Sequence, residues 1–327
     1  MSVPLPAARR ALLAQGLPRQ RVDHRLRNRS VIAPFRGVHV DAARVADFRT
    51  RCRAALVSQG LDAVLAMQSS AFVLGVRWLP AEWSRPDAVV HVAVPPQDAH
   101  RHRSGLRLHR RTLRPGEIVL IDGMPCMSPV RTLVELARDF ALSQVLVVQI
   151  IDGARRDGLV TIDGLHACLA QMPGERGVAR ARELVELSRH PVDSPQETSM
   201  RLALWFEGIR DLEVGIEICE YDGVVLARGD LGSRRWLIWS EYDGYDAHTQ
   251  RPTFRGDRVG DRWLQRRGWH VMRFVDTDLR QRGRLVADWR QALADAPRRI
   301  GALAKGLSPE ADQARRDLGL PDRCLRS

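Results

Sequence analysis

Apolar positions along this chain recur with two periods, and the switches between them delimit its elements. Residues 6–15 and 19–28 carry helical spacing, with Val22 and Leu26 at apolar positions of an otherwise basic second segment, and Gly16-Leu17-Pro18 interrupts the two. Val31-Ile32-Ala33 and Gly37-Val38-His39-Val40, around Pro34-Phe35-Arg36, predict a β-hairpin. Helix, break, Arg-rich helix and hairpin make a winged helix-turn-helix pattern; a plain helical hairpin with solvated arginines has the same spacing. Further on, residues 43–58 predict an amphipathic helix, residues 88–94, 106–111 and 117–122 predict strands, and Asp122-Gly123 predicts a turn. Ser128 caps a helix reaching about Phe140, with Pro129 at its first position, and helices follow at 143–156, 161–170 and 176–189.

Pro191 to Pro195 marks a boundary, after which the spacing gives an αβββαβ series. Ser194 caps a helix through Phe206, and strands at 214–219 and 224–231 are joined through Tyr221-Asp222-Gly223, a hairpin signal. A third strand runs from Arg235 to Tyr242. Arg255 to Arg267 is an amphipathic helix with Val259, Trp263 and Leu264 inward, ended by Gly268; Trp269 to Val275 is a strand and Leu285 to Leu293 a closing helix. The residues from Pro297 on, with Gly301, Gly306 and Pro309, predict a weakly ordered tail. The expected fold class is α/β (α+β overall). Its expected parts are a winged helix-turn-helix at 1–41, a mixed α/β region at 42–190, an αβββαβ domain at 191–296, to which a resemblance described below assigns a restriction-endonuclease-like fold, and the tail at 297–327.

Composition narrows this to a soluble globular protein, with 44% hydrophobic and 28% charged residues. No apolar run approaches the ~20 residues that span a bilayer, and the N-terminus lacks a signal peptide's apolar core, so no membrane partner is expected. Five scattered cysteines without CxxC spacing fit a reducing cytoplasm better than a disulfide framework or a zinc site. The net charge of +12 rests on fifty arginines and one lysine, Lys305. Arg-rich codon usage would produce that bias, and so would a polyanionic partner, since arginine binds phosphate bidentately. The densest basic stretch, His100-Arg101-His102-Arg103 with His109-Arg110-Arg111 and Arg114, has no carboxylate or cysteine to complete a metal site. It reads as a solvated or phosphate-facing strand pair.

Candidate chemistry concentrates in the C-terminal series. Ten residues separate Asp230 from Glu241, and Asp243 follows two positions later. Residues i and i+2 of a strand share a face, so Glu241 and Asp243 point the same way. If the strand ending at Asp230 pairs beside them, three carboxylates converge, which favours a hard divalent cation. Asp243 is either a further ligand or the first residue of an Asp-Gly turn. His248, in the loop beyond, is either a proton carrier or an exposed loop histidine. Glu197 either reaches the metal or closes the capping box Ser194-Pro195-Gln196-Glu197.

Two resemblances follow from these residues. Gly16-Leu17, Val22, Leu26 and Arg36-Gly37-Val38-His39-Val40, with Ser69 to Gly75 and Ser128 to Leu133, resemble abortive-infection type IV antitoxins over about residues 5–160. His39 stands where those proteins usually have tyrosine. Asp230, Glu241, Asp243, Gly244, His248 and Gly268 to Phe274 resemble the PD-(D/E)XK nuclease superfamily over residues 194–294, in the branch related to very-short-patch-repair endonucleases. The second resemblance implies a DNA endonuclease in which Asp230 and Glu241 hold Mg²⁺, with Asp243, His248 and Glu197 in supporting catalytic roles. The superfamily's lysine would fall at Asp243, leaving Mg²⁺, His248 or Arg251, Arg255 or Arg258 to meet transition-state charge. Arg19, Arg21, Arg25, Arg27 and Arg36 would contact DNA from the winged helix, and Arg255 and Arg258 from the basic helix. The alternatives are a non-catalytic, antitoxin-like DNA-binding regulator that keeps the nuclease fold, and an RNA substrate. A homodimer and a toxin partner are left open.

Overall fold

Three short strands open the molecule: β1 (Ala7–Ala8), β2 (Val31–Phe35) and β3 (Val38–Asp41), in the order β1-β3-β2 and all antiparallel. This computed structural model describes residues 6–8, 20, 24, 30–97, 104–219, 224–244 and 258–320. The hairpin expected around Pro34-Phe35-Arg36 is present. The helix expected at 6–15 is not continuous, because Ala7 and Ala8 pair with His39 and Val38. The third strand shields the edge of a hairpin that by itself would be marginal in water, and this overrides local helical spacing. Of the helix expected at 19–28, Gln20 and His24 are helical and the rest lies outside the described residues.

Packing divides the chain into two units, residues 1–186 and 187–327. In the first, α1 (Phe48–Gln59) starts at Asp47, whose carboxylate accepts from the amides of Arg49 and Thr50. Phe35, Val38 and Val40 of the hairpin share a core with Phe48, Cys52 and Leu56 of α1. The boundary expected at residue 41 therefore does not separate two cores. After β4 (Val64–Leu65) and α2 (Met67–Val73) come β5 (Val90–Val94), β6 (Leu106–Arg110), β7 (Ile118–Ile121) and β8 (Met124–Met127). They form a mixed sheet in the order β6-β5-β4-β8-β7. Asp122 and Gly123, at φ 49° and 74°, turn β7 back into β8, a positive-φ pair suited to a two-residue hairpin. Four helices complete the unit: α3 (Pro129–Arg138), α4 (Gln144–Arg156), α5 (Ile162–Ala170) and α6 (Val178–Leu187). The small polar residues of the antitoxin resemblance have a packing role here. Ser70 donates to the Met127 carbonyl at 3.0 Å, Thr132 donates to Ser70 at 2.9 Å, and Ser69 accepts from the His91 amide at 2.9 Å. These buried bonds tie α2 to α3 and the sheet.

The second unit begins with α7 (Pro195–Phe206), followed by five short strands: β9 (Glu213–Val214), β10 (Glu217–Cys219), β11 (Val225–Arg228), β12 (Leu231–Ser233) and β13 (Ile238–Tyr242). Two expected strands are therefore each broken, at Gly215 and at Gly229-Asp230. β10 and β11 form a separate hairpin; its tip, including Tyr221 to Gly223, lies outside the described residues. The basic helix α8 (Arg258–Arg266), β14 (His270–Phe274), α9 (Asp276–Arg280), α10 (Arg282–Gly301) and α11 (Pro309–Asp317) follow. The main sheet has the order β14-β13-β12-β9, with β13 and β14 parallel and the other pairs antiparallel. On one side lie Met200, Leu204, Leu285 and Trp289, and a second cluster joins Trp239 and Trp269 to Ala296 and Ile300. The whole chain is thus a mixed α/β protein, and among the described residues no helix is long and apolar enough to cross a membrane.

The expectation of a weakly ordered tail is corrected for residues 297–320, beyond which the chain lies outside the described residues. α10 runs through Pro297, because Ala296 and Ile300 are wholly buried and that burial outweighs the roughly 3 kcal/mol proline costs inside a helix. Beyond it, Ala311 and Ala314 of α11 pack on the cluster of Ile216, Trp239 and Trp269. An Ala311→Asp substitution is expected to destabilise the protein by roughly 2 kcal/mol or more, since it buries an unpaired polar group. An unchanged midpoint in urea unfolding would show that α11 adds nothing to this core.

Candidate active site

Strand register places the carboxylates. β12 and β13 pair with Leu231 opposite Ser240, so Asp230 falls across from Glu241, and the Tyr242 amide donates to Asp230 Oδ2 at 2.8 Å. β13 and β14 pair in parallel with Glu241 beside Arg273. Trp239, Glu241 and Asp243 occupy one face of β13 and its continuation, as their spacing of two requires. Trp239 Nε1 donates to Glu241 Oε1 at 3.2 Å, and Arg273 Nη1 lies 2.5 Å from Glu241 Oε2 and 3.5 Å from Asp243 Oδ1. Arg273 also grips Asp261 of α8, through Nη2 at 2.6 Å and Nε at 3.3 Å. Gly229 lets this layer close, because a Cβ there would lie 2.6 Å from the Trp239 ring.

Glu197 approaches from α7. Its amide donates to Ser194 Oγ at 3.2 Å, while its carboxylate accepts from the Ser194 hydroxyl at 2.9 Å and the Asp193 amide at 3.0 Å. The cap is real but shifted from the expected form: the carboxylate bonds the amide before Ser194. Glu197 also lines the cavity. Burial, then the neighbouring Asp230 charge, push its carboxyl up to about 8. Burial raises the Glu241 carboxyl too, against the opposing pull of Arg273. Arg273 is itself held protonated by its hydrogen bonds to Asp261.

Together these groups surround a cavity of about 380 Å³. Five carboxylates (Asp193, Glu197, Asp230, Glu241, Asp261) and two guanidiniums (Arg228, Arg273) line it, so a strongly basic protein carries an acidic pocket here. Among the described residues no three His, Cys, Asp or Glu side chains are grouped so as to hold a metal ion. Mg²⁺ does not need three, because it is held by one or two carboxylates with water and substrate phosphate completing its shell. The oxygen-only donors Asp230 and Glu241 fit that chemistry.

Of the remaining candidates, His248, Arg251, Arg255, Arg19, Arg21, Arg25 and Arg27 lie outside the described residues. Arg258 begins α8, but its side chain is not described. Arg36 is exposed at the β2–β3 turn of the first unit. Arg273 and Asp261 are the site residues that sequence reasoning missed as a pair. Arg273 was legible as part of the stretch Gly268 to Phe274 that carries the nuclease resemblance, but no role was assigned to it. Its partner became visible once α8 was placed against β14.

The fold and site thus define a mixed α/β protein whose second unit carries an acidic, arginine-bridged cavity. No family model matches the chain. It is similar to two proteins of Mycobacterium tuberculosis named "Uncharacterized protein Rv2248" and "Uncharacterized protein MT2308". Each is 26% identical over 274 residues, covering 83% of this chain and 95% of the relative.

The raised Glu197 carboxyl predicts a pH dependence. Folded Glu197 keeps its proton up to about 8, whereas the unfolded carboxyl loses it near 4.5, so between these values the folded state binds more protons and stability falls as pH rises. Glu197→Gln is expected to flatten that decline and to be the more stable form at pH 8. Parallel urea curves for both proteins across this range would refute the assignment.

Proposed function

We propose that this protein is a DNA-binding, Mg²⁺-dependent phosphodiester hydrolase whose reaction takes place in the cavity of the second unit. One observation carries the reading: Asp230 from the bend between β11 and β12, Glu241 from β13 and Glu197 from α7 line one cavity where carboxylates outnumber guanidiniums. Such a pocket repels a phosphodiester unless a cation is bound. Asp230 and Glu241 would hold the ion, which would supply charge neutralisation at phosphate and a more acidic bound water. The nuclease resemblance over residues 194–294 and the order helix, antiparallel strands, helix, parallel strand support the same reading.

The chain's own residues have separable tasks. The Tyr242 amide fixes one oxygen of Asp230, and Trp239 and Arg273 fix both oxygens of Glu241. Arg273 supplies, from the neighbouring parallel strand, the positive charge that the superfamily places on its lysine. Glu197, fixed by the Asp193 amide and the Ser194 hydroxyl, stands at the cavity wall beside Asp230, where it would serve as a further ligand or as an acid. Unbridged Cys52, Cys126, Cys168 and Cys219 support a cytoplasmic setting.

A second reading, a non-catalytic DNA-binding regulator of antitoxin type, is favoured by the same Arg273. Its contact with Glu241 satisfies a carboxylate that Mg²⁺ would need. The two readings separate on a nicking assay with supercoiled DNA. The hydrolase reading expects cleavage that requires Mg²⁺ and falls about a hundredfold or more in Asp230→Asn and Glu241→Gln with the fold intact. Salt-sensitive DNA binding without cleavage under any divalent metal would establish the regulator. Cleavage surviving both substitutions would sink the site.

A further inference from the structure

The first unit holds a second cavity, of about 460 Å³, with the opposite electrostatic character. Arg107, His109 and Arg111 reach it from β6 and the residue beyond, Arg138 and Phe140 from the end of α3 and the following turn, and Arg176 from the turn before α6. Two carboxylates share this lining, Glu135 and Asp139, the second accepting from the Ala141 amide at 3.0 Å, against the four guanidiniums of Arg107, Arg111, Arg138 and Arg176. Buried Glu135 is bound by Arg131 at 2.7 Å, Arg138 at 2.8 Å and Arg111 at 2.9 Å. Arg138 spends its remaining donors on Glu175 at 2.8 Å and the Arg176 carbonyl at 3.0 Å. The carbonyl-rich C-terminal end of α3 is satisfied by Arg180, which donates to the carbonyls of Ala137, Asp139 and Leu142.

What is left over is positive charge and an aromatic face. Arg107 and Arg176 are exposed cavity-lining guanidiniums whose side chains make no hydrogen bond or ion pair among the described residues. Phe140 is 62% exposed, although the Arg180 guanidinium lies 5.4 Å from its ring centroid. His109, half-buried, is paired with His91 across 2.9 Å and stays neutral, because burial and the adjacent Arg111 and Arg107 push it down to about 4.

We propose that this cavity binds a nucleoside monophosphate group, with the phosphate held by Arg107 and Arg176 and the base lying against Phe140. Two free guanidiniums suit a doubly charged terminal phosphate better than a backbone phosphodiester, and a volume of this size suits one nucleotide. The group comes either from a free nucleotide or from the 5′-phosphorylated end of a strand. Neither source involves the acidic cavity, so the inference stands apart from the hydrolase reading.

Calorimetric titration of the full chain in EDTA tests this, with deoxyadenosine 5′-monophosphate, deoxyadenosine and inorganic phosphate as probes. The monophosphate is expected to saturate one site, with deoxyadenosine about tenfold weaker or worse. Arg107→Gln combined with Arg176→Gln should weaken the monophosphate about tenfold or more, whereas Arg110→Gln, outside the cavity, and Asp230→Asn should leave it unchanged. Phe140→Ala should weaken the monophosphate and not inorganic phosphate. A clear preference for a 5′-phosphorylated single strand over its 5′-hydroxyl twin identifies the strand end as the source; equal binding of the two identifies the free nucleotide. The proposal is overturned if no probe saturates, if the double arginine variant binds normally, or if Phe140→Ala affects both phosphate ligands equally.

Discussion

The guanidinium of Arg273 is the constraint around which the second unit is arranged. It bonds Glu241 on β13 and Asp261 on α8 and approaches Asp243, so one side chain connects two parallel strands with the helix that crosses between them. Arginine suits this place because its planar fork serves several carboxylates at once, which a lysine ammonium does less well. Bonds of this kind are strengthened by partial burial, and their loss leaves carboxylates unpaired in a poorly solvated pocket. The same contact decides how the site is read: it prepares Glu241 for a cation or takes the cation's place.

The two cavities divide the electrostatics of the chain. Fifty arginines give the protein its net charge, yet the second unit's pocket is acidic and the first unit's is basic. In the acidic pocket, carboxylates exceed their partners and Glu197 answers by keeping its proton. In the basic pocket, Glu135 is fully answered by three arginines, and the surplus is cationic. The two imbalances have opposite sign, so the two pockets suit counter-charges of opposite sign. Charge as a bulk property suggested polyanions but located neither pocket.

Much of the fold was legible from spacing. Ser128 and Ser194 cap helices, with proline at the first position in each, because hydroxyl capping and the fixed φ of proline are local effects. Asp230 and Glu241 line the same cavity, since an antiparallel pair joined by a short turn fixes which residues oppose. The misses have equally physical causes. β1 forms where helical spacing was read, because pairing with β3 outweighs propensity in so short a segment. β4, only Val64 and Leu65, is too short to show a period and exists because it is hydrogen-bonded on both sides. α10 passes through Pro297 because the burial of its neighbours is invisible in a list of helix breakers.

The sequence by itself determined where the carboxylates stand along the strands, which helices begin at which caps, and that the chain carries a large arginine surplus. These are consequences of nearest neighbours, of the twofold period of a strand and of composition. Only the tertiary structure decided that Arg273 meets Glu241 and Asp261, that Asp230 presses on Glu197, and that Arg107 and Arg176 have no side-chain partner among the described residues. Each of those facts depends on residues brought together from elements distant in sequence. Pairing of charges across such distances is set by strand register and helix docking, for which a linear spacing carries no record.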